Sequence, residues 1–325
     1  MRYSILFALL LSFTSFGQKN VFVHINPLVS GVDIQLNTVY TALDGKTFKL
    51  DHFDYYLSEV LITHDGGQTL NLYDTIYIVK DDNYLLYLGN FDVTNIEQID
   101  FSIGVPKTRN TQTGILAQDI STYPEIHPLS FQNPSMYWGW QAGYMHMIIG
   151  GYSDGNDDQI PDVYFELHNL GNQNQQLVSL PVNQTNTTSD QIDIYLNCNL
   201  EQWINNIPLS TVGIMHDEIG VNKTIMDNVQ LFPVFTLATN AETIELKENM
   251  IQCAASENQI FVGWSNFTNL KSCSLIDQNG RVIKEMTLTE NEGKLNWNAI
   301  NTGFYLVQFT NTQGQIIASK KVIMP

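Results

Sequence analysis

The sequence predicts a mainly β protein built in two parts, and three observations carry that prediction. Short apolar runs alternate with polar residues at a period of two, as in residues 21–25 and 163–168. Turn-forming residues such as those at 65–67 separate these runs. No long helical period appears before about residue 198. We therefore expect a β-sandwich-like N-terminal domain with long loops and short helices, followed by a small immunoglobulin-like β-sandwich.

The start of the chain has the pattern of a cleavable secretory signal. Arg2 precedes an apolar run at 5–11, and Gly17 provides a small residue before the expected cleavage site. The apolar run is too short to span a bilayer, so we expect no transmembrane anchor. The remaining length fits two domains. The expected segments are a signal peptide at 1–17, a first domain at 18–240, a linker at 241–250 and a second domain at 251–325.

The elements of the first domain follow from local pattern, taken in chain order. We predict strands where apolar and polar residues alternate, at 21–26, 32–36, 53–63, 70–79, 99–103 and 163–168. Polar stretches without periodicity predict loops at 107–135 and 182–190. Apolar residues at helical spacing predict short helices at 199–206 and 217–230.

The charge of the chain excludes some partners. The net charge is −18, from 15 basic and 33 acidic side chains, and residues 250–325 contribute only six and five of these. The acidity therefore belongs to the first domain. Nucleic acid and anionic membrane surfaces would be repelled by it, so neither is an expected partner.

The chain has three cysteines, an odd number, so they cannot all pair within one chain. Cys253 and Cys273 lie 20 residues apart in the second domain and could form a disulfide in an oxidising compartment, which would leave Cys198 over.

An aromatic run at 136–144 is dense for a β-rich protein. Trp138 and Trp140 lie two residues apart in it, and in a strand such residues point to the same side. The pair can anchor one face of a core, or it can contribute to a functional site. Spacing alone leaves both interpretations open.

Two further patterns offer metal ligands. Imidazole suits copper, and the chain has seven histidines, although a strand histidine can equally serve a hydrogen-bond network. Between 154 and 162, oxygen-bearing side chains recur at alternate positions, as Ca²⁺ prefers. An acidic hairpin tip explains that pattern too. The calcium candidates are Asp154, Asn156, Asp158 and Asp162.

Several motifs of the first domain resemble the MbnP family of copper-associated periplasmic and secreted proteins. They occur in the family's order over roughly residues 20–240. The motifs are Phe-Val-His-Ile-Asn around His24, Phe-Asp-Tyr-Tyr-Leu-Ser at 53–58, Ile-Gly-Val-Pro at 103–106, Met-Tyr-Trp-Gly-Trp-Gln-Ala-Gly at 136–143 and His-Asn-Leu-Gly from His168.

This resemblance implies an exported copper-binding protein with no turnover of its own. In relatives, a di-haem MbnH/MauG-like oxidase converts a tryptophan to kynurenine, whose amine helps two histidines to hold copper. Carried over to this sequence, the modified residue would be Trp138 or Trp140. The copper ligands would be His24 and His168, with His146 as a reserve ligand.

The last 75 residues change to short strands separated by turns. We predict strands at 259–264, 274–277, 281–288, 304–310 and 316–323. The Asp-Gln-Asn-Gly turn at 277–280, the Asn-Thr-Gly-Phe-Tyr run from Asn301 and the terminal Lys320-Lys321 resemble the type A C-terminal sorting domain of the type IX (Por) secretion system. The resemblance implies handling by the type IX secretion machinery. The expected location is secreted or at the cell surface, reached through the periplasm and outer membrane.

The sequence also lacks common catalytic signatures. It has no His-Glu-x-x-His zinc motif, nucleophile elbow, Walker loop or dinucleotide fingerprint, and we expect no enzyme activity. The alternative function is a surface adhesion or interaction module without a transition metal, stiffened by Ca²⁺ at 154–162.

Overall fold

The structure is a computed structural model, and its described residues are 18–81, 83–110, 120–125, 127–139, 142–182, 185–188, 190–238, 250–256, 258–265, 270–278, 280–290, 293–312 and 316–324. The predicted signal peptide and almost all of the predicted linker lie outside the described residues. Within these ranges the protein is mainly β, as predicted, with few short helices.

The first domain consists of two large sheets and a small hairpin. Its strands are β1 (Lys19–Val29), β2 (Val32–Asp33), β3 (Tyr40–Thr41), β4 (Thr47–His64), β5 (Gln68–Val79), β6 (Leu85–Phe91), β7 (Ile96–Ile103), β8 (Tyr137–Gly139), β9 (Gly143–Tyr144), β10 (Met147–Ser153), β11 (Val163–Asn169), β12 (Gln176–Pro181), β13 (Asn186–Thr187), β14 (Gln191–Asn199), β15 (Ile214–Asp217) and β16 (Phe235–Leu237). Sheet 1 has the order β13-β14-β1-β2, with β16 beside β14 and β6 beside β1. Sheet 2 has the order β12-β7-β4-β10-β11-β15, with β3 and β5 beside β4, and β8 pairs with β9.

The helices of the first domain are short and differ from the prediction at one important boundary. They are α1 (Leu200–Trp203), α2 (Leu209–Val212) and α3 (Val221–Leu231), with single 3₁₀ turns at Ile120–Thr122 and Asn172–Asn174. The helix predicted at 217–230 begins only at Val221. It is preceded by strand β15, which pairs with β11, ends at Asp217 and was not predicted.

The turn after the first strand lies inside the interval left between the predicted strands at 21–26 and 32–36, but it is shorter than that interval. Strand β1 continues through Pro27, which is opposite Cys198 of β14, and the chain reverses at Ser30 and Gly31. Both residues have positive φ, 51° and 75°, which is the backbone conformation of a tight hairpin turn.

Sheets 1 and 2 pack face to face around one apolar core. Alternate residues of β1, such as Val21 and Val23, point into it from sheet 1, and Phe165 and Leu167 of β11 point into it from sheet 2. Trp203 of α1 is fully buried there, with its ring centroid 5.0 to 5.4 Å from three aromatic neighbours. Because side chains alternate along a strand, the residues between these core positions point to the outer faces of the sandwich.

The outer face of sheet 2 is covered by the segment that precedes β8. The sequence predicted a long loop over 107–135, and its described residues include Ile120 and Leu129, which are buried against Tyr56 and Ile148 of sheet 2. The hydroxyl groups of Tyr56 and Tyr144 donate to backbone carbonyls of this segment. The segment is thus a packed layer in its described part, and it fixes the position of the β8–β9 hairpin.

The second domain is a smaller two-sheet sandwich. Its strands are β17 (Met250–Ser256), β18 (Gln259–Ser265), β19 (Leu270–Asp277), β20 (Val282–Thr287), β21 (Gly293–Asn298), β22 (Gly303–Asn311) and β23 (Ile316–Met324). One sheet has the order β17-β18-β21 and the other β20-β19-β22-β23. Strands β17 and β21 were not among the predicted strands.

The two domains contact each other through the outer face of sheet 1. Phe22 of β1 and Tyr87 of β6 lie against Phe261 of β18, with ring centroids 5.0 and 4.5 Å away. Beside them the ammonium group of Lys294 donates to both carboxylate oxygens of Asp193, at 2.9 and 3.0 Å. The second domain therefore covers the face of the sandwich opposite to the β8–β9 hairpin.

The cysteines are not bonded to one another. Cys198, Cys253 and Cys273 are all free thiols, so the suggested bond between Cys253 and Cys273 is not formed. These two residues lie on strands of different sheets, where each packs with the apolar core of the second domain. Burial raises the pKa of Cys253 to about 12, so its thiol stays protonated at neutral pH.

No helix in the described part of the chain is both long and apolar enough to cross a membrane.

Candidate functional site

The candidate site lies on the outer face of sheet 2, at the edge formed by β11 and β15. Phe165 and Leu167 of β11 point into the core, so Glu166 and His168 point outward. Strand β15 pairs with β11 in parallel, and this register places His216 directly beside His168. Two histidines 48 residues apart in sequence thereby become neighbours on one face.

Trp138 completes an aromatic group with this histidine pair. Its indole stacks on the His216 ring with centroids 4.2 Å apart and an interplanar angle of 26°, and it meets the His168 ring edge-on at 5.7 Å. The Nδ1 atoms of the two histidines are 2.7 Å apart. Trp138 remains 47% exposed, so the group is accessible from solvent.

Glu166 connects the histidine pair to the rest of sheet 2. One carboxylate oxygen accepts a hydrogen bond from Nε2 of His168 at 2.5 Å, and the other accepts one from the hydroxyl of Tyr164 at 2.5 Å. Nε2 of His52 lies 3.8 Å from the first oxygen. A carboxylate held in this way orients an imidazole, as the second ligand shell does in metal sites.

The electrostatics of the site favour an ionised Glu166 and a neutral His168. Partial burial raises the pKa of Glu166, but the hydrogen bonds from Tyr164 and His168 outweigh this effect, so the net shift is downward. Burial lowers the pKa of His168 by more than the contact with Glu166 raises it. A neutral imidazole has a nitrogen lone pair free to bind a metal ion.

A pocket of about 300 Å³ opens beside the pair. Both Trp138 and His168 contribute to its wall, so a ligand in it would contact the aromatic group. The pocket is lined by Pro134, Ser135, Tyr137, Trp138, Met145, Glu166 and His168.

The site offers nitrogen ligands for a metal ion, but too few of them for a complete metal site. Two imidazoles suit copper and similar borderline metals. In the residues that the structure describes, no group of three or more His, Cys, Asp or Glu side chains is arranged to hold a metal ion. The pair therefore supplies two donors, and a complete site needs a further donor of another kind.

His24, one of the two ligands implied by the resemblance, lies elsewhere. Its Nε2 contacts a carboxylate oxygen of Asp193 at 2.7 Å and its ring stacks on Tyr195, both on β14 of sheet 1. Since Val23 and Ile25 point into the core, His24 points to the opposite outer face from His168. Two sheets packed about 10 Å apart separate them, so the structure does not bring His24 and His168 together.

His146, the reserve ligand, is fully buried and uses both ring nitrogens. Its Nδ1 accepts a hydrogen bond from the backbone N–H of Val105 at 2.9 Å, and its Nε2 donates to the carbonyl of Gly171 at 2.9 Å. Burial lowers the pKa of His146 to about 4. Both ring nitrogens already make hydrogen bonds to the backbone, so neither is available to bind a metal ion.

The calcium candidates form the tip of the β10–β11 hairpin. The carboxylate of Asp154 accepts hydrogen bonds from the backbone N–H groups of residues 156, 157 and 159. The side chains of Asn156 and Asp158 accept backbone N–H groups two residues further along. Turns closed by side chains in this way account for the spacing of the acidic residues, and Asp162 lies at the end of the same loop.

Trp138 and His168 were identified as candidate site residues from the sequence, but His216 was not. Trp140 lies outside the described residues. His216 belonged to none of the motifs, and it lay directly before the helix predicted at 217–230. The sequence gives little local signal for this strand, because the run Ile-Met-His-Asp-Glu-Ile at 214–219 does not alternate between apolar and polar residues.

Comparisons with known proteins give two family matches and several matches among solved structures. The MbnP family matches residues 18–224, and the secretion system C-terminal sorting domain matches residues 256–324. MbnP from Methylosinus trichosporium is similar in structure at 14% identity and a TM-score of 0.43, over 60% of this chain and 82% of that chain. An endonuclease/exonuclease/phosphatase from Beutenbergia cavernae DSM 12333 matches at 9% identity and a TM-score of 0.20, over 83% of this chain and 81% of that chain. Neither structural similarity is close enough to support a functional argument. No match was found among curated proteins.

Proposed function

Because the chain belongs to the MbnP family and carries a type IX C-terminal sorting domain, we propose that it is an exported copper-binding protein with its metal site at His168, His216 and Trp138. The sorting domain marks the protein for the cell surface or for secretion. The copper ion is the cargo of this protein, and the proposal includes no turnover.

The observation that carries the proposal is the arrangement of two imidazoles and one indole on a single exposed face. The two Nδ1 atoms are 2.7 Å apart, and the indole of Trp138 stacks 4.2 Å from His216. Imidazole nitrogen is a good ligand for copper. All three side chains lie on the same outer face of sheet 2, whereas His24 and His168 lie on opposite outer faces of the sandwich.

Trp138 supplies the missing donor if it is oxidised to kynurenine. This reaction breaks the C2–C3 bond of the indole with addition of two oxygen atoms from O2 or peroxide, and hydrolysis then releases C2 as formate. It leaves an aromatic amine next to the histidine pair. Trp138 is 47% exposed, so a separate oxidant can reach it, and we propose a di-haem MbnH/MauG-like oxidase for this step. Trp140 lies outside the described residues, so the proposal rests on Trp138.

The deciding experiment measures the mass and the copper content of protein purified from its native host. We expect the peptide that contains Trp138 to be heavier than its sequence by about 4 Da, the change from tryptophan to kynurenine, and the same sample to contain copper. An unmodified peptide in a copper-containing sample would exclude the kynurenine donor. Unmodified protein without copper would contradict the proposal as a whole.

Three single variants locate the ligands. We expect His168→Ala and His216→Ala each to weaken copper binding by more than about tenfold, because each removes one of two nitrogen donors. The matched control is His24→Gln, a histidine on the opposite face, which should leave copper affinity unchanged. Loss of copper in His24→Gln together with retention in His216→Ala would place the site on sheet 1 instead.

A further inference from the structure

Three outward-facing residues of β11 form a continuous hydrogen-bonded row that ends at the proposed ligand. Tyr164, Glu166 and His168 are two residues apart, so they point to the same side of the strand. The Tyr164 hydroxyl donates to one oxygen of Glu166, and the other oxygen accepts from Nε2 of His168, both at 2.5 Å. The row thus links a tyrosine anchor, a carboxylate and an imidazole in a fixed order.

We propose that Glu166 is a positioning residue that holds His168 in its Nε2–H tautomer and so selects the Nδ1 atoms of His168 and His216 as the copper-binding nitrogens. This inference rests on the proposed function and deepens it, because it names which ring nitrogens face the metal and which residue imposes that choice. Glu166 itself does not contact the metal.

The proton positions follow from the hydrogen-bond partners. A carboxylate can only accept, so Nε2 of His168 carries the proton and its Nδ1 carries the lone pair. The contact of 2.7 Å between the two Nδ1 atoms then requires His216 to donate its Nδ1 proton to His168. For both Nδ1 atoms to hold copper, His216 would release this proton to water and take up one on its Nε2, so that its exposed ring would stay neutral.

Glu166 is itself hydrogen-bonded by Tyr164 and has the His52 ring packed beside it. Tyr164 binds one oxygen, and His52 approaches the other, with its Nε2 3.8 Å away. Nε2 of His52 is buried and makes no hydrogen bond. The His52 ring can occupy this place because residue 150 is glycine, where a Cβ atom would lie 2.3 Å from Cε1 of His52. The carboxylate therefore has little freedom to turn away from His168.

The test uses the full mature chain and reads the His168 tautomer before any metal is added. Long-range ¹H–¹⁵N NMR at about pH 8, where imidazoles are neutral, should show His168 as the Nε2–H form. In Glu166→Ala we expect a mixture of tautomers and a copper affinity about ten- to a hundredfold lower. Glu166→Gln keeps an oxygen acceptor for the Nε2 proton, so it should retain the tautomer and recover most of the affinity.

Glu59→Gln provides the matched control on the same sheet. Glu59 accepts hydrogen bonds from Ser102 and Gln175 at 2.9 and 2.8 Å, away from the proposed site, and its variant should match the wild type in tautomer and affinity. The inference is overturned if wild-type His168 carries its proton on Nδ1, or if Glu166→Ala binds copper as tightly as the wild type. A wild type that has the Nε2–H tautomer but binds no copper would instead overturn the proposed function.

Discussion

His146 makes the stability of the first domain depend on pH in a calculable way. The folded chain keeps this buried imidazole neutral, with a pKa of about 4, whereas the unfolded chain titrates near 6.5. As the pH falls below 6.5 the unfolded state takes up a proton that the folded state does not, so the folded state loses stability. The stabilisation is complete above pH 6.5 and is lost progressively toward pH 4.

The size of this effect follows from the two pKa values. At about pH 4.5, protonation of His146 favours the unfolded chain by about 2.5 kcal/mol relative to neutral pH, because each pKa unit corresponds to about 1.4 kcal/mol. Urea unfolding of the wild type and of His146→Gln at both pH values isolates the contribution, since other titrating groups are common to the two proteins. The free energy of unfolding should fall more steeply in the wild type, by about 2.5 kcal/mol.

Glutamine at position 146 keeps one acceptor and one donor, so the variant can still fold although it is less stable at neutral pH. An equal fall in stability for both proteins would refute the reasoning. It would mean that the folded state accommodates the protonated ring, for example by local opening around Val105 and Gly171.

Three further predictions concern the core, the domain contact and the hairpin tip. Trp203→Ala should lower the free energy of unfolding by about 3–5 kcal/mol in urea denaturation, since the buried indole leaves a large cavity, and an unchanged midpoint would contradict this. Lys294→Ala should cost about 1 kcal/mol, because it removes the ion pair with buried Asp193. Lys321→Ala, which removes a 3.9 Å contact with exposed Glu125 and a contact 3.9 Å from the centre of the Phe304 ring, should cost less, about 0.5 kcal/mol. Equal effects of the two lysine variants would argue against a specific role for Asp193. Calcium should not raise the thermal midpoint, since the carboxylate of Asp154 already accepts three backbone N–H groups, and a rise of several degrees would show an ion-stabilised loop.

Much of the fold could be predicted from the sequence because strand alternation is a local property. The β11 pattern correctly placed Tyr164, Glu166 and His168 on one face. The hairpin turn at 65–67 was likewise confirmed, because glycine at positive φ is a local requirement. The Cys253–Cys273 bond was not confirmed, because both thiols are free.

The site itself could be predicted only in part, because alternation does not say which outer face a residue occupies. His24 and His168 both follow a buried apolar neighbour on a strand, and nothing local distinguishes sheet 1 from sheet 2. His216 joins the site through the parallel pairing of β11 with β15, which is a tertiary event. A local sequence pattern does not show which strands far apart in sequence pair with each other.

The pairing of β1 with β14 sets the order in which the first domain can be completed. β1 begins at residue 19, yet its parallel partner spans Gln191–Asn199, so nine successive residue pairs join positions about 170 apart. Such non-local pairing is slow, because a long loop must close before the contacts form. One edge of β1 can pair earlier, with β6 at Leu85–Phe91. The other edge has to wait for residues 191–199, and during that interval its backbone is open to other chains. During export the edge of β1 that faces β14 is therefore exposed until most of the first domain is present, and chaperone protection of that edge should be needed until then.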